Sequence, residues 1–524
     1  MSADIAMGSD LMNLKIIQRL KELLPEQPRS GERLCHLENL SISGTHAHLS
    51  PGGFLQYVLY QITSLGYSEE TMSAYVEGIA QAIFRAYNSL EEGSISVAED
   101  LLFESNINRS PSSYLLNPES ERDQYSKEGD TDKRMLQLKF TTRNTNKDIG
   151  ILNWFSVHGT SMNNSNILIS GDNKGYASYL MEKLYNGNET LPGKGDFVAA
   201  FASTNLGDVS PNTDGAKCID TGLPCDFKTS TCNGDATLCI ASGPGKDIFE
   251  STKIIGRKQF EKAVELFNGK TISVAGVVDY RHSFVDMGNC TVQLESGETV
   301  RTCPAALGYS FAGGTTDGPG DFDFKQGSNT SNPFWDMISG FLSHPTEEQI
   351  ECHHPKPILL NTGKTTRPYM WDPDSVPISV FRIGQVFILN VPGEFTTMAG
   401  RRLRKAIKEL ATDSGVQDPV VTIAGLANTY THYVTTFEEY QGQRYEAAST
   451  LYGPHTLSAY IQKFKRITSA LSQGRPSETY VPPQDLSAKQ ISLIPPVVVD
   501  TIAIGQKVSQ NRLISIGCTR IIGN

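Results

Sequence analysis

Gly150-Ile151-Leu152-Asn153-Trp154-Phe155-Ser156-Val157 is a run of apolar, strand-forming residues that passes directly into His158-Gly159-Thr160. Such a run reads as a strand, and the His-Gly-Thr that follows reads as its carboxyl end. The same arrangement recurs. Leu40-Ser41-Ile42-Ser43-Gly44 is a short strand that ends in Thr45-His46-Ala47-His48, and Phe197 to Ala202 is another that ends in Thr204-Asn205-Leu206-Gly207-Asp208-Val209-Ser210. Gln385 to Val391 runs into Pro392-Gly393-Glu394, and Val420 to Ala424 leads toward Asn428-Thr429-Tyr430-Thr431-His432-Tyr433. Helical spacing stands between them. Leu11, Leu14, Ile17, Leu20 and Leu24 mark a helix over 11–24, a helical region opens at Pro51-Gly52-Gly53 and reaches about Asn88, and a third runs from about Thr396 to Leu410. Strands alternating with helices predict an α/β fold, in which ligands bind at the carboxyl ends of strands.

At 524 residues the chain exceeds one domain of roughly 100–200 residues and can bury a large core. Its apolar share of 39 % is ordinary, and no apolar run of about 18 residues is present to span a bilayer. A net charge of −11 argues against a nucleic-acid partner, because phosphate binding needs clustered cations. The short basic stretch Arg401, Arg402, Arg404, Lys405, beside Glu409, reads as a solvated helix face.

Cys218, Cys225, Cys232 and Cys239 are spaced by seven, which fits neither a zinc pair nor a redox motif. With Gly, Pro, Asp, Asn, Ser and Thr between them, they read as a disulfide-bonded loop whose pairing stays open. Cys303 and Cys352 are a candidate further pair, while Cys35, Cys290 and Cys518 have no evident partner. N-x-[ST] acceptors start at Asn39, Asn163, Asn188, Asn289 and Asn329 and point to the secretory pathway. Met1-Ser2-Ala3-Asp4-Ile5-Ala6-Met7 does not read as a signal peptide.

Zinc takes imidazole and carboxylate ligands and, in catalytic sites, keeps a position open. His46, His158 and Glu394 could supply three such ligands, although no H-E-x-x-H spacing marks them. His46 and His48, two apart on a strand, would share one face. From the residues alone each histidine is equally a hydrogen-bonded side chain, Tyr433 a half-buried aromatic, and Ser210 a turn or cap residue outside any G-x-S-x-G elbow.

Longer blocks add to this. Ser43-Gly44-Thr45-His46-Ala47-His48, Asn108-Arg109-Ser110-Pro111, Asn153 through Asn164, Ser170-Gly171-Asp172-Asn173-Lys174-Gly175, Asn205 through Asn212, Pro392 through Met398 and Tyr430 through Thr436 occur in one order. On these blocks the chain resembles the neutral ceramidases, zinc amidases that cleave the N-acyl bond of ceramide to give sphingosine and a fatty acid. The resemblance implies an α/β catalytic domain with a mixed sheet and long disulfide-bearing loops, and one zinc per chain. It implies that His46, His158, Glu394 and Tyr433 bind that zinc, that Ser210 is the nucleophile, and that His48, Arg109 and Tyr445 line the site. It also implies disulfides in the four-cysteine loop and between Cys303 and Cys352, and a ceramide substrate presented at a membrane surface. Either water or Ser210 could attack the amide, and the sequence leaves that choice open.

The chain departs from the family pattern at His48-Leu49-Ser50-Pro51, where Ser50 stands in place of a glycine and would be strained if that turn needs a positive φ. Residues 1–480 are expected to be the catalytic domain, without the family's signal and early strand-and-glycine segment. Beyond Pro482-Pro483, residues 481–524 read as a linker, with Ile494 to Asp500 extended, and the remnant of a C-terminal immunoglobulin-like β-sandwich.

Overall fold

The computed structural model of the chain describes residues 1–24, 34–333 and 343–494. One sheet contains β1 (Gly93–Leu101), β2 (Arg134–Thr142), β3 (Asp148–Phe155), β4 (Val198–Ser203) and β5 (Ile272–Val274), in the spatial order β5-β1-β2-β3-β4. A second contains β6 (Val278–Asp286), β7 (Ser375–Ile383), β8 (Val386–Asn390) and β9 (Val420–Ala424), in that order. Around them lie α1 (Asp10–Leu23), α2 (Glu69–Asn88), α3 (Asp172–Asn186), α4 (Ile248–Asn268), α5 (Thr397–Asp413) and α6 (Thr456–Ser472).

Side chains alternate across a strand, and this sorts the residues into layers. In β8, Val386 and Ile388 face the first sheet and meet Leu136, Leu138, Trp154 and Ala202. Phe387 and Leu389 face the opposite way, onto Leu403 and Ile407 of α5 and Phe464 of α6. Likewise Ile151, Ala199 and Phe201 turn from the first sheet toward Met181 of α3 and Ala263 and Phe267 of α4. The result is four layers: helices, sheet, sheet, helices.

Within the two sheets β3 and β4 run parallel, with Gly150 opposite Val198, and so do β8 and β9, with Val386 opposite Val420. The other pairings are antiparallel. A parallel pair needs a crossover, and α3 and α5 supply the two. Thr396 caps α5 through the Ala399 amide, so the helix begins just past Glu394. A Cβ on Gly400 would stand 2.3 Å from the Asn205 side chain, so α5 packs against the segment after β4 at a distance only glycine permits. Each sheet therefore offers two neighbouring strand ends on one side.

Several expectations change. The helix read from Pro51 onward begins only at Glu69. Gly53 has a φ of 82° and the loop that follows buries Phe54, Leu55 and Tyr57, so the apolar residues are covered along an irregular path. The strand at Leu40–Gly44 shrinks to Ser43–Gly44, which pairs in parallel with Ser2–Ala3. A short N-terminal strand with Gly8 beside it thus lies next to the site. Ser50 is not among the positive-φ residues, and its hydroxyl donates to the Ala47 carbonyl at 2.8 Å, so the departure there adds no backbone strain.

Cys218–Cys232 and Cys225–Cys239 interlace across a hairpin of Gly215–Cys218 with Cys239–Ser242, and Cys303 bonds Cys352. Cys35 and Cys290 are free, and Cys518 lies outside the described residues. Residues 481–494 lie back on the body: Leu486 is buried and the Leu493 amide donates to Leu65. The rest of the linker and sandwich remnant expected over 481–524, residues 495–524, lies outside the described residues.

The basic stretch is not a solvated face. Arg401 is 2 % exposed and donates to the Tyr114 hydroxyl, the Gly129 and Thr131 carbonyls and Glu128, while Arg402 pairs with Glu121 and Glu438 and Arg404 with Asp132. Only Lys405 of the four is exposed. Removing one side of a buried charged network costs about 3–5 kcal/mol, against roughly 0.5 kcal/mol or less for a surface change. Arg401→Ala is accordingly expected to lower the thermal midpoint clearly and Lys405→Ala to leave it in place. Equal midpoints for the two variants would contradict the buried network.

Candidate metal centre and active site

His158 follows β3 by three residues. Its ring Nδ1 lies 2.9 Å from the Val209 carbonyl oxygen, which can only accept, so Nδ1 carries the proton and Nε2 keeps its lone pair. His46 repeats this, with Nδ1 2.7 Å from the Ala6 carbonyl oxygen. His46 has a φ of 65°, so its ring is aimed by a left-handed kink rather than by the strand alternation expected for His46 and His48. The Ala47–Gly159 bridge holds the two histidine segments side by side.

Glu394 lies just beyond β8 and faces Tyr433 across the short parallel pairing of Glu394–Phe395 with Tyr433–Val434. Its Oε1 is 3.3 Å from His46 Nε2 and its Oε2 is 3.0 Å from His158 Nε2. Tyr430 donates its hydroxyl to Oε1 at 2.5 Å. His48 Nε2 is 3.0 Å from His46 Nε2, and the imidazoles of His46, His48 and His158 each offer a nitrogen within 4.8 Å of the others. His158 Nε2 and Glu394 Oε2 are buried and make no hydrogen bond. Buried acceptors that face one another are costly unless a cation lies between them. Imidazole and carboxylate donors suit zinc and several other divalent metals, and carbonyl partners on the far ring nitrogens orient such ligands. The residues therefore fit a bound metal ion.

Their ionisation agrees. Burial, with Arg109 adding to it, lowers the His158 imidazole below its ordinary value against the pull of Glu394. Solvent reaches His48 from the cleft, yet desolvation and then the neighbouring His46 and His158 hold it well below the usual range. Burial would raise Glu394, but His46 and His158 outweigh it and hold the carboxyl well below the ordinary value.

Arg109 joins this cluster to the rest of the site. It follows Ile107–Asn108, which pairs with Val209–Ser210. Its Nη2 donates to the Tyr433 hydroxyl at 3.0 Å and the Gly207 carbonyl at 2.8 Å, Nε donates to Glu446 at 2.9 Å, and Nη1 donates to Asp317 at 3.3 Å. The guanidinium stands 5.8 Å from the Tyr433 ring and 5.7 Å from the Tyr445 ring, within cation–π range. Burial pushes Tyr445 up to about 12, with Arg109 opposing. Ser210 is fully buried; its Oγ donates to Asp317 Oδ1 at 2.5 Å. A cleft of about 250 Å³ opens over His48, Arg109, Asp317, Tyr433 and Tyr445, with Met162, Asn163 and Asn164 on its rim. A larger groove of about 1260 Å³ beside β6 and α6 contains none of these residues.

The structure thus brings His46, His48, His158 and Glu394 together. Tyr433 and Tyr445 stand beside them through Arg109, and Ser210 lies one hydrogen bond from Asp317. Sequence reading missed Ala6, Tyr430, Asp317 and Glu446 as partners. Tyr430 stood in a quoted block, but nothing local marks it as a donor to a carboxylate 36 residues earlier.

The chain matches the family model described as neutral/alkaline non-lysosomal ceramidase, N-terminal, over residues 1–462. It is 46 % identical to neutral ceramidase 1 of Arabidopsis thaliana, over 96 % of this chain and 72 % of that protein. It is 47 % identical to the neutral ceramidase of Drosophila melanogaster, over 95 % and 71 %. Among solved structures it resembles a ceramidase complexed with C2, with a TM-score of 0.80 at 36 % identity, over 97 % of this chain and 72 % of that one. It also resembles neutral ceramidase from Pseudomonas aeruginosa, with a TM-score of 0.77 at 35 % identity, over 96 % and 71 %.

Groups that hydrogen-bond to metal ligands typically contribute about 10–100-fold to metal affinity. Tyr430→Phe removes only the hydroxyl on Glu394, so chelator competition is expected to show metal affinity reduced by about that factor. Unchanged affinity would remove Tyr430 from the metal centre.

Proposed function

Since the chain belongs to the neutral ceramidase family, we propose that it is a zinc-dependent amidohydrolase that cleaves the N-acyl bond of ceramide into sphingosine and a free fatty acid. The convergence of the His46 and His158 lone pairs on the Glu394 carboxylate carries this reading. His46, His158 and Glu394 would hold the zinc, with Tyr433 as the fourth protein ligand and one zinc per chain. When bound there, the ion supplies a Lewis acid for the amide carbonyl and makes a water molecule more acidic.

The remaining roles fall to the chain's own groups. Ser210 Oγ is the nucleophile that forms an acyl-enzyme: its oxygen bonds the acyl carbon, the C–N bond to sphingosine breaks, the hydroxyl proton ends on the departing amine, and water then hydrolyses the ester to the free fatty acid. His48 and the Tyr445 hydroxyl line the cleft where negative charge develops on the carbonyl oxygen, and both can donate to it. Arg109 holds the Tyr433 hydroxyl and is itself fixed by Glu446 and Asp317.

Ceramide is a membrane lipid, and presentation at a lipid surface agrees with the cleft rim. Just past Met162–Asn164, Ile167, Leu168 and Ile169 are 87 %, 60 % and 78 % exposed, in a stretch from Gly159 to Gly171 without a charged residue. Among the described residues no helix is long and apolar enough to cross a membrane. The three disulfides and the exposed acceptors Asn163, Asn188, Asn289 and Asn329 support residence in the secretory pathway or at the cell surface.

The purified protein is expected to release sphingosine from ceramide, to lose that activity on chelation and to regain it with one equivalent of zinc. One zinc per chain without turnover would sink the reading. Rapid-quench kinetics are expected to show a burst of sphingosine ahead of fatty acid, which Ser210→Ala abolishes. A Ser210→Ala protein at full rate would remove Ser210 as nucleophile and leave direct attack by water.

A further inference from the structure

A serine hydroxyl offers one proton and two lone pairs, and it attacks productively only when one lone pair is free and aimed. Among the described residues Ser210 Oγ has two hydrogen-bond partners, and neither is an imidazole. It donates to Asp317 Oδ1 at 2.5 Å and accepts from the Asn212 amide at 3.0 Å. One lone pair is left.

Asp317 is itself fixed. Its side chain is 4 % exposed, Oδ1 also accepts from Asn212 Nδ2 at 2.8 Å, and Oδ2 accepts from Arg109 Nη1 at 3.3 Å. It sits at the turn of a two-residue hairpin in which Thr315 pairs with Gly318 and Gly314 with Pro319. Gly314 has a φ of 62°, and a Cβ on it would lie 2.4 Å from the Gly318 carbonyl oxygen, so the turn admits only glycine there. The Thr316 carbonyl accepts from the Ala241 amide at 2.8 Å, which ties the turn to the strand Cys239–Ser242 that the Cys225–Cys239 disulfide anchors. Oδ1 accepts from the Ser210 hydroxyl and the Asn212 amide group while Oδ2 accepts from Arg109, so the carboxylate is held from three sides and can hold the Ser210 hydroxyl in turn.

We propose that Asp317 is the positioning residue of the nucleophile: from its disulfide-braced hairpin it fixes the Ser210 hydroxyl in one rotamer, with a single lone pair directed at the acyl carbon. The inference rests on the reading of Ser210 as the nucleophile.

The test is a set of variants of the full chain, assayed on ceramide beside wild type and Ser210→Ala. Asp317→Ala is expected to lower kcat by about 100-fold with KM little changed. Asp317→Asn keeps an acceptor in place and is expected to recover most of that loss with the pH–rate profile of wild type. Asp317→Glu keeps the charge beside Arg109 but moves the acceptor by one methylene, and is expected to fall with Ala. Full activity of Asp317→Ala or Asp317→Glu, or an Asn variant as slow as Ala, would overturn the proposal. A loss of the acidic limb in the Asn profile would make Asp317 a general base instead, and would overturn it too. Thermal midpoint and metal content show whether a slow variant is merely unfolded. A crystal structure of Asp317→Ala reads the same point without turnover: Ser210 is expected in an altered or mixed rotamer, and the wild-type rotamer alone would count against the inference. Full activity of Ser210→Ala would instead bring down the nucleophile reading itself.

Discussion

A buried carboxylate facing two imidazole lone pairs is the constraint around which this molecule is arranged. Glu394, His46 and His158 are almost without solvent contact, and their facing atoms bring no proton to share. Desolvated acceptors of this kind are tolerated where a cation, or the hydrogen bonds behind them, compensates. The supports are spread across the fold: the Ala6 carbonyl on His46, the Val209 carbonyl on His158 and the Tyr430 hydroxyl on Glu394. The two-sheet architecture is what lets them converge. Each sheet contributes one parallel pair of strands, and the four ends deliver His158, Ser210, Glu394 and Tyr433 into one region.

Much of this was legible from local pattern. Val420–Ala424 was read with its observed limits, and the strands ending near His158, Ser210 and Glu394 were placed within one or two residues. Runs of apolar residues followed by polar ones mark strand ends because the sheet interior is dry and its edge is wet. The strand-end reading also singled out His46, His158 and Glu394, but only the resemblance to a family implied a ligand role for all three and a different one for His48.

What was not legible depends on contacts between distant residues. Arg401 looks like surface in a window of basic residues and becomes an anchor because Glu128 and the Tyr114 hydroxyl arrive from elsewhere. Pro51 to Ser68 has the composition of a helix start, but Gly53 and the burial of Phe54 and Tyr57 route it as a loop with one short 3-10 helix at Val58–Gln61. Asp317 lies in Gly313-Gly314-Thr315-Thr316-Asp317-Gly318, a run that carries no periodicity at all. Its partner Ser210 is 107 residues away.

The placement of the strand ends has a thermodynamic corollary. Glu394 lies just past the end of an inner strand of one sheet, His158 just past the end of an inner strand of the other, and His46 in a segment pinned by the N-terminal strand. A cation held by all three is therefore a clamp across a seam, because its donors share no local sequence and meet only when the layers have docked. Binding energy and docking energy become one linked quantity. Occupancy of the site and cohesion of the two sheets should then rise and fall together, so that an ion bound there would be part of the architecture as well.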